Sequence, residues 1–298
     1  MITPHESYPD LANNLGLFSV FYKREDLHPY GSHKGRSIPL MIDKYIEQGY
    51  RHFVISSSGN AGLSAGLHVK KINDDIEKNE RKNKISDKKN TEKITLEILA
   101  GKNINKEKLN KLESLKDENI LLSIQDRPLQ ALFMKTQDTK IKSLRQSNDD
   151  SALEGYAVLA KELLEIPNLK AVFIGTSSGT TAQALSEYFA KNFSNDKKNN
   201  KKEDEIKNER NDRENIEMHI VQTSSCHPIS DIFTDKIEND EISIANAIVD
   251  HTAIRKEKIV ALIKESGGNA WIAKNEEIKS AQEISKKHTG IEISVNSA

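Results

Sequence analysis

The stretch His52-Phe53-Val54-Ile55-Ser56-Ser57-Ser58-Gly59-Asn60-Ala61-Gly62 runs from apolar residues, through a turn of small polar ones, into a helical segment. His52 to Ile55 reads as a buried strand and Ala61 to Val69 as the helix that follows it. Such a turn sits at the carboxyl end of a strand, where open α/β sheets bind ligands. Free backbone N–H groups, three hydroxyls and the helix dipole make an anion site for a carboxylate or phosphate, and Asn60 adds an amide donor. The same residues also read as a plain helix N-cap by Ser58 or Asn60.

The rhythm continues in both directions. A helix carrying Met41, Ile42, Tyr45 and Ile46 on one face precedes the strand and ends near Gly49. Ile94 to Leu99 and Asn119 to Ile124 read as strands, with helices over Lys106 to Leu115 and from Pro128, a residue suited to a first helical turn. In the second half, Leu153 to Leu164 is an amphipathic helix with Leu153, Ala157, Ala160 and Leu164 in register. Strands at Ala171–Ile174 and Met218–Val221 alternate with helices at Thr181–Phe189, Ile254–Ile263 and Glu276–Lys286. This alternation predicts an α/β fold with parallel sheets covered on both faces. A break near residues 140–150 predicts two lobes with a cleft between them.

A formal net charge of -1 argues against nucleic acid or an acidic membrane as a partner. The charged fraction of 30% is concentrated in two stretches, Asn73 to Lys93 and Lys191 to Asn215, which read as solvated insertions or flexible helices, not binding sites. A single cysteine, Cys226, excludes an intramolecular disulfide and fits a reducing compartment. Cys226-His227 has no second cysteine pair, so a packed thiol is favoured over a metal site. No apolar run reaches membrane-spanning length, and Met1 to Asp10 lacks a signal-peptide core. These features predict a cytoplasmic protein.

Two further stretches carry chemistry. Gly31-Ser32-His33-Lys34-Gly35-Arg36-Ser37-Ile38-Pro39 places a lone lysine among small residues at a helix start. The Lys34 amine can form a Schiff base with an aldehyde cofactor; otherwise it is a solvated lysine in a glycine-rich turn. Gly175-Thr176-Ser177-Ser178-Gly179-Thr180 follows a strand and opens a helix, and its small residues let backbone approach a phosphate. It has neither the lysine of a P-loop nor a GxGxxG pattern, so the phosphate is not that of a nucleoside triphosphate. The alternative is a helix cap rich in Ser and Thr. A lysine for an imine, an anion cradle with an amide and a separate phosphate cradle are the parts that pyridoxal phosphate and an amino-acid carboxylate require.

The chain resembles the fold type II pyridoxal-phosphate enzymes, the tryptophan synthase β-like superfamily. Lys23 to Asp26 followed by Gly31 to Lys34 is similar to their K-R-E-D…G-S-F/H-K signature, and Ser58-Gly59-Asn60-Ala61-Gly62 to their S-G-N-x-G loop. Val221-Gln222, Cys226, Pro228-Ile229 and Phe233 resemble threonine synthase in particular, as do Leu153-Glu154-Gly155 and Ser243 to Ile248. The resemblance implies a two-lobed open parallel-sheet fold with pyridoxal 5'-phosphate in the cleft. It implies a larger cofactor-binding lobe over 1–35 plus 145–298 and a smaller substrate-side lobe over 36–144.

It further implies that Lys34 holds the cofactor and moves protons at the substrate, and that Asn60 donates to the cofactor's ring oxygen. Thr176, Ser177, Ser178, Gly179 and Thr180 would hold the cofactor phosphate. Ser57, Ser58 and Gly59 would hold the substrate carboxylate. The chain stops at Ser297-Ala298, where threonine synthases continue to a segment that meets the pyridine nitrogen; either Ser297 would substitute for that partner or the chain is a truncated form. Gly35 replaces the usual acid, and His33 replaces phenylalanine. The implied activity is a threonine synthase-like lyase acting on O-phosphohomoserine, with a serine/threonine dehydratase and a cofactor-binding relative without turnover as alternatives. The implied partner is a small amino acid, in a homodimer.

Overall fold

The computed structural model describes residues 2–57, 59–81, 92–200, 215–234 and 242–298. In chain order it contains β1 (His5–Ser7), α1 (Pro9–Leu15), β2 (Phe21–Lys23), α2 (Lys34–Glu47), β3 (His52–Ser56), α3 (Asn60–Arg81), β4 (Thr95–Gly101) and α4 (Lys106–Glu113). Then come β5 (Ile120–Gln125), α5 (Pro128–Lys135), β6 (Ile141–Ser143), α6 (Ser151–Leu163), β7 (Ala171–Gly175), α7 (Thr180–Asn200), β8 (Glu217–Thr223), α8 (Lys256–Ser266), β9 (Ala270–Ala273) and α9 (Asn275–Thr289). Two compact units result: residues 24–155, and residues 2–23 with 156–298. Lys34 and Asn60 lie in the first, Thr176–Thr180 and Ser297 in the second.

The first unit is built on a parallel sheet of order β5-β4-β3-β6. Its central strands are buried on both faces, as parallel strands flanked by helices must be. Phe53, Ile55, Leu96 and Ile98 face α2 and α3 through Ile38, Met41, Ile42, Ala65 and Val69. Val54 and Leu99 pack instead with Leu132 of α5. The second unit has a parallel sheet of order β7-β8-β9 and an antiparallel β1–β2 pair. Met218 and Ile220 of β8 meet Leu185 and Phe189 of α7 and Ile259 and Ile263 of α8. Trp271 is half exposed and lies beside a stacked Phe173–His219 pair at 4.4 Å. Among the described residues no helix is long and apolar enough to cross a membrane.

The polar stretches begin as helix. α3 runs on to Arg81 and α7 to Asn200. Asn73 is buried there because its amide exchanges two hydrogen bonds with the backbone of Ile94, at 2.9 and 2.8 Å. Residues 82–91 and 201–214, where the rest of those stretches falls, lie outside the described residues.

The register of α6 differs from the expected stripe of Leu153, Ala157, Ala160 and Leu164. Its buried face carries Ala152, Gly155, Tyr156, Leu159, Ala160 and Leu163. The reason is a backbone contact. A Cβ added at Gly155 would collide with the carbonyl oxygen of Arg36 and the Cα of Ser37. Ser37 Oγ donates to Ala152 O at 2.8 Å and accepts from Gln146 Nε2 at 2.7 Å, both buried. α6 therefore lies directly on the first turn of α2. Gly155→Ala forces backbone apart and is expected to lower unfolding free energy by about 1–3 kcal/mol. Urea denaturation measures it, and an unchanged midpoint would mean that the helices part freely.

Candidate active site

In the first unit, Lys34 is the first residue of α2 and half-buried, with its N–H donating to Ser32 Oγ at 3.3 Å. Arg36, next but one, is almost wholly buried and donates twice to Glu25, at 2.7 and 2.8 Å. This bidentate pair fixes the helix start to the 25–27 turn. Arg24 and Asp26 pair with each other at the surface, and hydrogen bonding to Arg24 holds the Asp26 carboxyl below its ordinary value. Gly35 is explained by its surroundings: an added Cβ would strike the His28 ring and Tyr30 Cβ. There is no room for the acid that the family signature carries.

Asn60 is the first residue of α3, and its side chain is exposed. A hydroxyl caps this helix start, that of Ser57. Ser57 Oγ accepts from the N–H groups of Gly59 and Gly62, at 3.2 and 3.1 Å. With two bonds accepted, the Ser57 hydroxyl keeps its proton to donate outward. A Cβ at Gly59 would meet nothing within 4 Å, so the space over this helix start is open. Ser58 lies outside the described residues.

The second unit holds the other turn. Thr176 N donates to Val221 O at 2.9 Å, and Thr176 Oγ1 accepts from Gly179 N at 3.0 Å. Gly179 has φ 78°, a left-handed conformation that favours glycine. Ser178 and Thr180 join their hydroxyls at 2.9 Å. Ser177 Oγ accepts from Val249 N and Asp250 N at 3.0 and 2.9 Å, so it too is left with a proton to donate. The first intrahelical bond of α7 is Gln183 N to Gly179 O, so helical N–H groups before it point out of the helix start.

Gln222, fully buried on β8, holds this turn in place. Its Nε2 donates to Ser177 O at 3.2 Å, and its Oε1 accepts from Ile229 N and Ser230 N at 2.9 and 3.0 Å. The V-Q likeness had given Gln222 no role. Asn296 O would lie 2.8 Å from a Cβ at Gly175, which brings the exposed Ser297 to the start of the same turn. The Ser297 hydroxyl pairs with Ser294 at 3.1 Å. Cys226 is buried, and burial followed by the Asp250 charge pushes its thiol up to about 11.

These residues fit pyridoxal phosphate. An amine and an exposed amide head two packed helices, and a glycine turn with outward N–H and O–H donors heads a third. The fold is that of the fold type II enzymes. Residues 2–72 and 90–298 match the model of the pyridoxal-phosphate dependent enzyme family, and the chain belongs to that family. Its cofactor is pyridoxal phosphate.

Mouse L-serine dehydratase/L-threonine deaminase is 38% identical over 60 residues, 20% of this chain and 18% of that protein. Human serine dehydratase-like is 36% identical over 72 residues, 24% of this chain and 22% of that protein. The matched stretches thus span about a fifth of these curated relatives. Among solved structures, a fungal L-serine ammonia-lyase from Rhizomucor miehei superposes with TM-score 0.72 at 13% identity, over 99% of this chain and 83% of that one. Maize serine racemase gives 0.69 at 15% identity, over 99% and 78%. The curated relatives point to the dehydratase alternative, and the likeness to threonine synthase gains no support from them.

Two expectations follow. Gln222→Leu orphans two buried N–H groups and should cost about 2 kcal/mol or more in stability and weaken cofactor binding; calorimetry of both would expose the idea if neither moved. His33 is pushed down to about 3, by burial first and then by the charges of Lys34, Arg36 and His28. Below its ordinary 6.5 the unfolded imidazole takes a proton that the folded one refuses, so stability falls as pH drops through that window. His33→Phe should flatten the stability–pH slope there by up to about one proton. Urea titrations across the window check this, and parallel slopes for both proteins would reject it.

Proposed function

We propose that this chain is a pyridoxal-phosphate-dependent lyase that converts serine or threonine to the 2-oxo acid and ammonia. The observation that carries the reading is the 36–38% identity to serine dehydratases and threonine deaminases. The lysine and asparagine heading α2 and α3 support it. When bound, the cofactor supplies an electron sink for negative charge at the substrate α-carbon.

The chain's own residues do the rest. Lys34 would hold the cofactor by its amine when no substrate is bound and, freed once the substrate amine takes its place, would accept the proton from the substrate α-carbon. Asn60 donates to the ring oxygen. The Ser57 hydroxyl, Ser58, Gly59 and the first N–H groups of α3 hold the substrate carboxylate. In the turn from Thr176 to Thr180, shaped by the Thr176 and Gly179 bonds, Ser177, Ser178 and Thr180 would offer N–H and O–H donors to the phosphate, and Ser297 would serve the ring nitrogen. The α-C–H and β-C–O bonds would break, and Lys34 would return the α-proton to the departing β-hydroxyl, which leaves as water. Hydrolysis of the resulting enamine consumes one water and releases ammonia, so the atoms balance.

The test is the full chain with pyridoxal phosphate, offered L-serine, L-threonine and O-phosphohomoserine in turn. The expected result is 2-oxo acid from serine or threonine, reduced on the order of 10³-fold or more in Lys34→Ala. Phosphate release from O-phosphohomoserine without 2-oxo acid would return the assignment to threonine synthase. A cofactor absorption band with no turnover of any of the three would identify a binding protein.

A further inference from the structure

Three side chains in the first unit form one hydrogen-bonded chain. Tyr30 Oη lies 2.9 Å from His68 Nδ1, and His68 Nε2 lies 2.8 Å from Asp43 Oδ1. The Tyr30 and His68 rings meet edge-on, 5.8 Å between centroids and 77° between planes. The Asp43 carboxylate only accepts, which puts the proton of a neutral His68 ring on Nε2. Nδ1 is then an acceptor, and Tyr30 must donate to it. Burial, followed by the Asp43 charge, holds the Tyr30 phenol above its ordinary value, so the donor keeps its proton. His68 is buried, and the Asp43 side chain is half exposed.

The placement of the three matters more than their chemistry. Asp43 is on α2, which begins at Lys34; His68 is on α3, which begins at Asn60. Tyr30 is on the turn that delivers the chain to Lys34. Its Cβ and the stacked His28 ring, 5.7 Å from the Tyr30 ring, fill the space beside Gly35. His28 Nδ1 also accepts from Tyr30 N at 3.2 Å. The chain of bonds thus joins the turn before the lysine to both helices that present the amine and the amide.

We propose that Asp43, His68 and Tyr30 are positioning residues that set the Lys34 amine relative to the Asn60 amide, and thereby the affinity and geometry of bound pyridoxal phosphate. This rests on the reading that Lys34 and Asn60 hold that cofactor. They act through the two helix starts.

The experiment compares Tyr30→Phe, His68→Leu, His68→Gln and Lys34→Ala in the full chain. It reads the dissociation constant for pyridoxal phosphate, the position of the bound-cofactor absorption band, and the melting temperature of the cofactor-free protein. Tyr30→Phe, which removes one oxygen and keeps the ring stack, is expected to weaken cofactor binding by about tenfold and move the band. His68→Leu should do the same. His68→Gln, whose amide can accept from Tyr30 and donate to Asp43, should restore binding to within about twofold. Tyr30→Phe and His68→Leu that lower the melting temperature but leave affinity and band unchanged would reduce the chain to a structural staple and overturn the proposal. Should His68→Leu fail to fold, Tyr30→Phe decides alone. A band that persists in Lys34→Ala overturns the underlying reading instead, whereas its loss there with an unchanged Tyr30→Phe overturns only the positioning role.

Discussion

The first turn of α2 has no freedom of position, and the rest of the first unit is arranged around that constraint. α6 lies on it from one side, close enough that Gly155 meets the backbone of Arg36 and Ser37. His28 and Tyr30 fill the space at Gly35. The Arg36–Glu25 pair and the Ser37–Gln146–Ala152 bonds close the polar groups that such contact would otherwise strand. A buried polar group without a partner costs far more than a satisfied one contributes, so these bonds are a condition of the close packing. Lys34, at the head of this turn, inherits the rigidity of everything that holds it.

Both anion-facing turns use serine in the same way. Ser57 and Ser177 each accept two backbone N–H bonds. A hydroxyl with its lone pairs occupied presents only a proton. Such a group favours an anion over any ligand that must donate, and it needs no charged side chain to do so. Helix starts add N–H groups and a positive dipole end. On the proposed function, a chain of nearly balanced charge would in this way offer two anion cradles without a cluster of arginines. The fully satisfied Gln222 side chain performs the matching structural service, tying the second cradle to the 229–230 turn.

What the sequence made legible was periodic. Runs such as Phe53-Val54-Ile55 and Met218-His219-Ile220-Val221 lie in parallel strands, because only buried strands need such continuous apolar character. The turns after β3 and β7 were legible because small residues at strand ends have few other uses. Contacts between backbones were not. Gly155 leaves no periodic mark, and it shifted the buried face of α6 away from the predicted stripe. The capping role of Ser57 left no mark in the sequence because consecutive serines are chemically alike, and it is the Ser57 hydroxyl's two accepted bonds that reveal it. Polar composition left insertion and helix equally open after Val69; α3 continues there as helix, anchored by the two bonds of Asn73 to Ile94. The Tyr30–His68–Asp43 chain joins residues far apart in sequence, and nothing local announces it. The threonine synthase reading gains no support from the relatives for a related reason: short motifs such as V-Q-x-x-x-C include turn-holding residues like Gln222, which tie loops of the fold together.

The departures around Lys34 are best understood as one change. Glycine at 35 is tolerable at a helix start, where loss of helix propensity costs least, and it opens the space that the His28 ring and Tyr30 Cβ occupy. Tyr30 so placed can reach His68, and His68 can reach Asp43. An acid restored at 35 would have to displace His28, and with it the stacked partner that steers Tyr30. Residues 28, 30, 35, 43 and 68 are therefore mutually dependent, each acceptable only because the others are present. A sequence in which such local choices agree specifies its structure more narrowly than any one of them does. Here the agreement converges on the two helix starts that present the amine and the amide.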